Sequence, residues 1–130
     1  MTDSKSFGPR GELVLRIIAQ RQDTNRVGDI YAGWLLQQMD LAASETAFRV
    51  SQGRASTIAV ESIQFISPLR VGAPVSIYSR LAETGRSSMK IAIEVWTQDE
   101  HVTEPRKVTE ALFVYVAIDE KGRIRELPGS

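Results

Sequence analysis

The amino-acid sequence predicts an α+β domain in which one long helix packs against a five-stranded, mainly antiparallel sheet. Three observations predict this fold class. A single amphipathic segment of about 20 residues has helical periodicity, four later segments alternate or run apolar as strands do, and a short β-branched segment precedes the helix. The chain has 130 residues, which is the length of one domain.

The elements follow one another without an internal repeat. The first strand is predicted at 12–20, where ELVLRIIAQ is rich in β-branched residues. A loop with Asp, Asn and Gly separates it from the helix, predicted at 31–51, whose inner face carries Leu35 and Met39 among small residues. Gly53 offers a helix stop. Four further strands are predicted as a meander, at 56–68, 75–83, 89–98 and 107–119.

The composition excludes several classes of function. The chain carries 16 Lys and Arg against 16 Asp and Glu, which argues against a protein built to neutralise nucleic acid or an anionic membrane. It has no cysteine and one histidine, His101. His101 falls in a polar loop, so a histidine triad or a multi-histidine metal site is not expected.

The chain ends and the hydropathy suggest where the protein works. The polar residues 1–10 are predicted to form a flexible arm before a single domain at 11–128. No apolar run reaches the roughly 18 residues that a membrane helix needs, and the start lacks the apolar core of a secretory signal. We therefore expect a cytoplasmic protein. The last strand is apolar on both faces, which five strands around one helix cannot bury, so we also expect a homodimer or larger assembly.

A carboxylate interrupts the apolar face of the predicted helix. Asp40 shares one stripe with Leu36, Ala43 and Ala47, and a buried carboxylate is costly unless it is paired or has a chemical role. In the structural interpretation, Asp40 bonds neighbouring main chain or Ser44, or the stripe turns enough to expose it to water. In the functional one, apolar surroundings make Asp40 a better proton acceptor, able to activate water or to attack a substrate itself.

Four segments of the chain resemble a known family. They are DTNRVGDIYAGWLLQQMD, VESIQFISPLRVG, GRSSMKIAIEVW and EALFVYVAID followed by GR. In this order, over roughly 11–128, they resemble the YciA-type acyl-CoA thioesterases of the hotdog-fold superfamily. The resemblance implies a central helix wrapped by the sheet and hydrolysis of acyl-CoA to free acid and coenzyme A. It also implies no metal or bound cofactor, and a dimer with two active sites across its interface, often in a trimer of dimers.

The resemblance also implies catalytic residues. Asp40 would be the base, and the main-chain N–H of Gly33, with that of Ala32, would bind the oxyanion at the start of the helix. The family commonly has two glycines there, and alanine keeps the N–H if no positive φ is needed. Asn25 would orient water or the thioester carbonyl from the partner subunit. The structural alternatives are tight packing at Gly33 and an Asx-turn at Asn25, with Asp29 a cap or turn residue.

A second group of residues is implied to bind coenzyme A. Arg86, Ser87, Ser88 and Lys90 lie at a turn that enters a strand, where cations, hydroxyls and main-chain N–H groups can hold pantetheine and pyrophosphate. Thr57 would line the same groove. The alternative for Arg86 and Lys90 is solvated surface charge.

Other positions and functions remain open from the sequence. Leu36, Met39 and Phe65 are candidates for the wall of an acyl tunnel. Glu61, inside a strand, is a candidate for supporting a catalytic residue or for a salt bridge at the subunit interface, rather than for a direct chemical role. A non-catalytic module that binds or senses acyl-CoA is the main alternative function. A hotdog dehydratase is disfavoured, because that chemistry needs an Asp–His pair and His101 lies in a late loop.

Overall fold

A computed structural model describes residues 8–129 and confirms the predicted α+β class. One 20-residue helix packs against a five-stranded antiparallel sheet. The elements are β1 (Glu12–Ile18), a 3₁₀ turn (Arg21–Asp23), α1 (Ala32–Ser51), β2 (Ala55–Phe65), β3 (Pro74–Thr84), β4 (Ser88–Thr97) and β5 (Arg106–Ala117). Most of the predicted arm, residues 1–7, lies outside the described residues. At residue 10 the main-chain N–H of Arg10 donates to a carboxylate oxygen of Glu94 on β4, at 3.2 Å.

The order of the strands corrects the predicted meander. The sheet runs β1-β3-β4-β5-β2, so β3, β4 and β5 do form a meander but β2 pairs with β5 at the far edge. Because β2 is not a neighbour of β3, the connection at 66–73 crosses from one edge of the sheet towards the other. This arrangement puts β1 and β2 at opposite edges, where they flank the two sides of the helix.

The inner face of α1 is made of the small and apolar residues that the sequence predicts. Met39, Ala43 and Ala47 are fully buried against the sheet, while Leu41 on the outer face is 55% exposed. On β3, β4 and β5 every second side chain faces the helix, which places Ile91 and Phe113 side by side in the core.

The helix ends at Ser51, two residues before the glycine predicted to stop it. Gln52 adopts the left-handed conformation, with φ of 55°, and the N–H of Gly53 then bonds the carbonyl of Phe48 at 3.2 Å. A Cβ at 53 would lie 2.8 Å from the guanidinium of Arg125, so any other residue there would require that side chain to shift.

Arg125 ties three chain segments together at this end of the molecule. Its guanidinium donates to the main-chain oxygens of Ser51 at the end of α1, Arg54 just before β2 and Ile118 just after β5. The three distances lie between 2.8 and 3.2 Å. The carbonyl at the helix end that lacks an intrahelical partner is thereby satisfied by a cation, which the helix dipole also favours.

The β2 edge is long and apolar. β2 spans 11 residues and pairs only with β5, and Ile58, Val60 and Phe65 on it are 57%, 41% and 48% exposed. An exposed apolar edge of this length is a template for pairing with another strand. Between residues 8 and 129, no helix combines the length and the apolar character that crossing a membrane requires.

Candidate active site

Asp40 lies on α1 where the helix faces β2 and β5. Its Oδ1 atom accepts a hydrogen bond from the hydroxyl of Thr57 at 2.9 Å and another from the hydroxyl of Tyr115. The Tyr115 hydroxyl also lies 2.9 Å from the main-chain oxygen of Asp40. Two hydroxyl donors from the sheet compensate the half-buried carboxylate, so its setting is not purely apolar. Ser44, the partner considered in the structural interpretation, donates instead to the main-chain oxygen of Leu41.

Tyr115 was not among the residues that the sequence singled out. It sits on the helix-facing side of β5 and is 1% exposed. Burial, followed by the hydrogen bond to Asp40, raises the pKa of the Tyr115 phenol well above its ordinary range. Tyr115 therefore stays protonated at neutral pH and keeps its hydrogen for Asp40. Because Tyr115 lies in an alternating apolar strand, the sequence pattern predicts a core residue. The only signal of a polar partner was its phenol hydroxyl, which needs a hydrogen bond when it is buried.

The start of α1 offers unpaired donors, as predicted. The N-cap residue, Tyr31, makes no side-chain cap hydrogen bond and no acidic residue lies in the first turn. Within the described residues, the N–H groups of Ala32 and Gly33 have no acceptor, whereas that of Trp34 bonds the Tyr31 carbonyl at 3.1 Å. Neither residue has a positive φ, so alanine is compatible with the backbone at 32.

Packing does not explain the glycine at 33. A Cβ built on Gly33 would meet no atom within 4 Å among the described residues. The structural alternative for Gly33, close approach of the sheet, therefore finds no support within one protomer.

The two halves of the predicted catalytic machinery are far apart within one protomer. Gly33 and Asp40 are seven residues apart on one helix, which at 1.5 Å per residue is about 10 Å along its axis. A thioester carbonyl bound at the helix start of one protomer therefore lies well away from the Asp40 of that same protomer.

Asn25 forms the Asx-turn that the structural alternative predicted. Its Oδ1 accepts the N–H groups of Val27 and Asp29, each at 3.0 Å, and its own N–H bonds the Asp29 carbonyl at 2.7 Å. Asp29 also pairs with Arg70 at 3.5 Å, which fits a turn residue. Asn25 is exposed, and its catalytic role stays a prediction.

The residues predicted to bind coenzyme A separate into two places. In the sheet register, Thr57 on β2, Tyr115 on β5 and Met89 on β4 form one row. Met89 therefore lies about two strand spacings, roughly 10 Å, from Thr57. Ser88 is next to that row, and Arg86 lies further along, in the β3–β4 turn. The turn is thus at the same end of the sheet as Asp40.

Lys90 is on the other side of the sheet. Met89 is fully buried against the helix, so its neighbour Lys90 points to the opposite face. There its ammonium lies 3.7 Å from Glu61. Glu61 thus forms an ion pair within one protomer, whereas the salt bridge considered from the sequence was one at the subunit interface. Arg86 is exposed and lies 3.8 Å from Glu126. Within one protomer the structure does not bring Lys90 to the same site as Thr57 and Asp40.

An open groove of about 760 Å³ is lined by Leu41 and Ala42, which follow Asp40 on α1, and by Glu45 one turn further on. Its walls come from β1, α1 and the start of β2, and they include Val14, Leu41, Phe48 and Ile118. None of the predicted tunnel residues lines it: Met39 is in the core, Leu36 is half-buried and Phe65 is exposed. The apolar side chains of the groove were missed because they belong to the outer helix face and the strand edges.

The fold and the carboxylate site together define the class of protein. Residues 27–104 match the family described as the Thioesterase superfamily, and the chain belongs to that superfamily. The chain is 45% identical over 123 residues to the acyl-CoA thioester hydrolase YciA of Salmonella typhimurium, with 92% of each chain covered. The resemblance noted in the sequence is thereby confirmed.

Solved structures agree with this assignment. The fold matches a hexameric broad-specificity acyl-coenzyme A thioesterase, solved as an aspartate-to-alanine mutant, with a TM-score of 0.89 and 42% identity over 93% of this chain and 89% of the other. It also matches a hexameric hotdog-fold thioesterase of Campylobacter jejuni with a TM-score of 0.84 and 33% identity, covering 90% of each chain. The predicted hotdog fold is confirmed.

Proposed function

We propose that this protein hydrolyses acyl-CoA thioesters to a carboxylic acid and free coenzyme A. The observation that carries the proposal is the geometry of Asp40. Its Oδ1 is held by Thr57 and Tyr115, while its Oδ2 accepts no hydrogen bond from residues 8–129. The residues that follow Asp40 on α1, Leu41 and Ala42, line an open groove. The relatives, which are described as acyl-CoA thioester hydrolases, support this substrate class.

Asp40 acts as a general base in the proposed reaction. A water oxygen adds to the thioester carbonyl carbon while one of its protons passes to Asp40. The carbonyl oxygen becomes an oxyanion, which the free N–H groups of Gly33 and Ala32 stabilise. The intermediate then collapses, the C–S bond breaks, and the proton on Asp40 returns to the leaving thiolate. Direct attack by Asp40 would instead give a mixed anhydride that water later cleaves.

The active site is proposed to be shared between two subunits. Because Gly33 and Asp40 of one helix are about 10 Å apart, we propose that the carboxylate acts on a carbonyl held by the helix start of the partner. The apolar β2 edge supports a dimer as the minimal active unit. The hexameric state of the relatives supports a trimer of dimers.

The turn before β4 is proposed to hold the coenzyme A portion. Arg86, Ser87 and Ser88 offer a cation and hydroxyls at the same end of the sheet as Asp40, and Arg86 is solvent-exposed. A contribution of Lys90 stays a prediction. The proposed chemistry needs water, a carboxylate and main-chain donors only, which is consistent with the prediction that no metal or bound cofactor takes part. The cytoplasmic location also stays a prediction.

The test is release of free thiol from a panel of acyl-CoAs by the wild type, by Asp40→Asn and by Glu104→Gln. Glu104 is an exposed carboxylate in the loop before β5 and serves as the control. We expect Asp40→Asn to lose about 10²–10⁴-fold in kcat, the usual contribution of a general base, with acyl-CoA binding kept. Glu104→Gln should match the wild type.

Two results would contradict the proposal in different ways. A wild type that binds acyl-CoA saturably but releases no thiol would identify a binding or sensing module. An Asp40→Asn variant with full turnover would leave the thioesterase standing and show that another group activates the water.

A further inference from the structure

The Tyr115 hydroxyl contacts Asp40 twice. It donates to the Oδ1 atom of the side chain and lies 2.9 Å from the main-chain oxygen of the same residue. Tyr115 belongs to β5, which has a neighbouring strand on each side, and its side chain is 1% exposed. Close packing holds a buried ring on an inner strand in one position, so the Tyr115 hydroxyl has a well-defined position relative to α1.

Both side-chain donors to Asp40 converge on one of its two oxygens. Thr57 donates to Oδ1 at 2.9 Å and Tyr115 donates to the same atom. Within residues 8–129, Oδ2 accepts no hydrogen bond. The pair of donors therefore selects one rotamer of the carboxylate and leaves a defined oxygen free to receive a proton.

The two donors differ in rigidity. Thr57 is exposed on the edge strand β2, and the register of β2 against β5 shifts between Thr57 and Ala59. Such an irregularity bends an edge strand locally. Tyr115 comes from the regular part of β5 and is buried, so of the two it gives the better-fixed reference for the carboxylate.

We propose that Tyr115 is a positioning residue for the hydrolysis, acting through Asp40 by holding Oδ1 so that Oδ2 faces the attacking water. The inference rests on the proposed function and extends it to a residue that would not contact the substrate. The raised pKa of Tyr115 is in keeping with this role, because a neutral phenol keeps its donor hydrogen across the whole working range of pH.

The competing interpretation is that Tyr115 only fastens α1 to the sheet through the main-chain oxygen of Asp40. That role would affect stability but would not act through the carboxylate. The two roles differ in what Tyr115→Phe does to the pH dependence of turnover and in whether its effect needs Asp40.

The main test is Tyr115→Phe, which keeps the ring volume and removes the hydroxyl. We expect kcat to fall about tenfold to a hundredfold while KM stays within about twofold, as is typical when an interaction matters more in the transition state than in the ground state. Tyr78→Phe is the matched control, since Tyr78 is half-buried on the opposite face of β3 and should retain wild-type turnover.

The acid limb of the pH–kcat profile gives a readout that a structural role would not move. A carboxylate that loses a donor holds its proton more tightly, so the limb should move to higher pH in Tyr115→Phe. The elements packed against Asp40 are β5, which presents Tyr115, and β2, which presents Thr57. On α1 its neighbours one turn away are Leu36, Gln37, Ala43 and Ser44. Within residues 8–129, Tyr115 is the titratable group that hydrogen-bonds the Asp40 carboxylate.

A double-mutant cycle decides whether Tyr115 acts through Asp40. In an Asp40→Asn background, Tyr115→Phe should lower kcat no further. An equal loss in both backgrounds, or an acid limb that does not move, would overturn the proposal and leave Tyr115 a structural residue.

Two further measurements keep this test separate from the proposed function and from folding. Carboxyl ¹³C NMR, with Asp40→Asn to assign the signal, follows the titration of Asp40 without turnover. The Asp40 signal should titrate at higher pH in Tyr115→Phe even if no acyl-CoA is hydrolysed, and an unchanged titration would refute the contact. If Tyr115→Phe does not fold, fluorotyrosine at 115 should move the wild-type titration to lower pH, because a more acidic phenol donates more strongly.

Discussion

Replacing Gly33 by proline removes one N–H group from the start of α1 at small structural cost. The Gly33 N–H has no acceptor among the described residues, so the folded protein loses no hydrogen bond. Gly33 is the second residue of the helix, in the first turn, where proline is tolerated. A Cβ at 33 meets nothing within 4 Å. The ring does restrict Ala32, the residue before it, and this is the main structural cost.

The expected loss follows from the role proposed for that N–H. Removing one oxyanion donor costs about 2.7–4 kcal/mol in the transition state, or about 10²–10³ in kcat. Ala32→Pro tests the second donor with less strain. It occupies the first helical position, and Tyr31 before it is extended, with φ of −60° and ψ of 139°, as a residue before proline prefers.

The assay is thiol release under saturating acyl-CoA, together with urea unfolding of each variant. Gly33→Ala is the matched control: it keeps the N–H, adds a Cβ into open space and raises helix propensity by up to about 1 kcal/mol. We expect Gly33→Ala to keep turnover within about threefold and Gly33→Pro to lose it. If both proline variants remain folded and keep wild-type kcat, the helix start is not the oxyanion hole and the reasoning fails.

Two further predictions concern stability and assembly. Because the pKa of Tyr115 is raised above the ordinary value of about 10, the unfolded chain loses that proton first. The contribution of Tyr115 to the free energy of unfolding is therefore fully present below about pH 10. Above that pH it falls by about 1.4 kcal/mol per pH unit. Urea titrations from pH 9 to 11 should show a shallower decline in Tyr115→Phe, and equal slopes would contradict the shift. Ile58→Lys places a charge on the exposed β2 edge and should reduce the mass measured by light scattering towards that of a monomer. Val102→Lys makes the same kind of apolar-to-charged change at a loop position that is 50% exposed and should leave the mass unchanged. An unaltered assembly in Ile58→Lys would place the interface elsewhere.

Local patterns predicted the elements well because each element carries its own periodicity. The helix was predicted at 31–51 and lies at Ala32–Ser51, since its buried face repeats every three to four residues. The position of β2 was predicted wrongly because neighbours in sequence are usually neighbours in a sheet. What overrides that tendency is the need to cover α1 on both sides, which no local pattern records.

The site could be predicted only in part, because local patterns do not record which strands lie side by side. Asp40 stood out because a carboxylate on an apolar stripe breaks the pattern, and Thr57 came from the family resemblance. Tyr115 could not be found, because a tyrosine in an alternating apolar strand fits the pattern of a core residue. Its role depends on the register that sets β5 beside β2, and sequence alone does not give that register.

The contacts of Arg125 bear on when the fold can be completed during synthesis. The carbonyl of Ser51 and the chain just before β2 are held by a side chain 74 and 71 residues further along. While the ribosome is still adding the last strands, the end of α1 has no such partner and β2 has no β5 to pair with. Native closure therefore waits until nearly the whole chain has emerged, and until then the apolar strand β2 needs protection from other nascent chains.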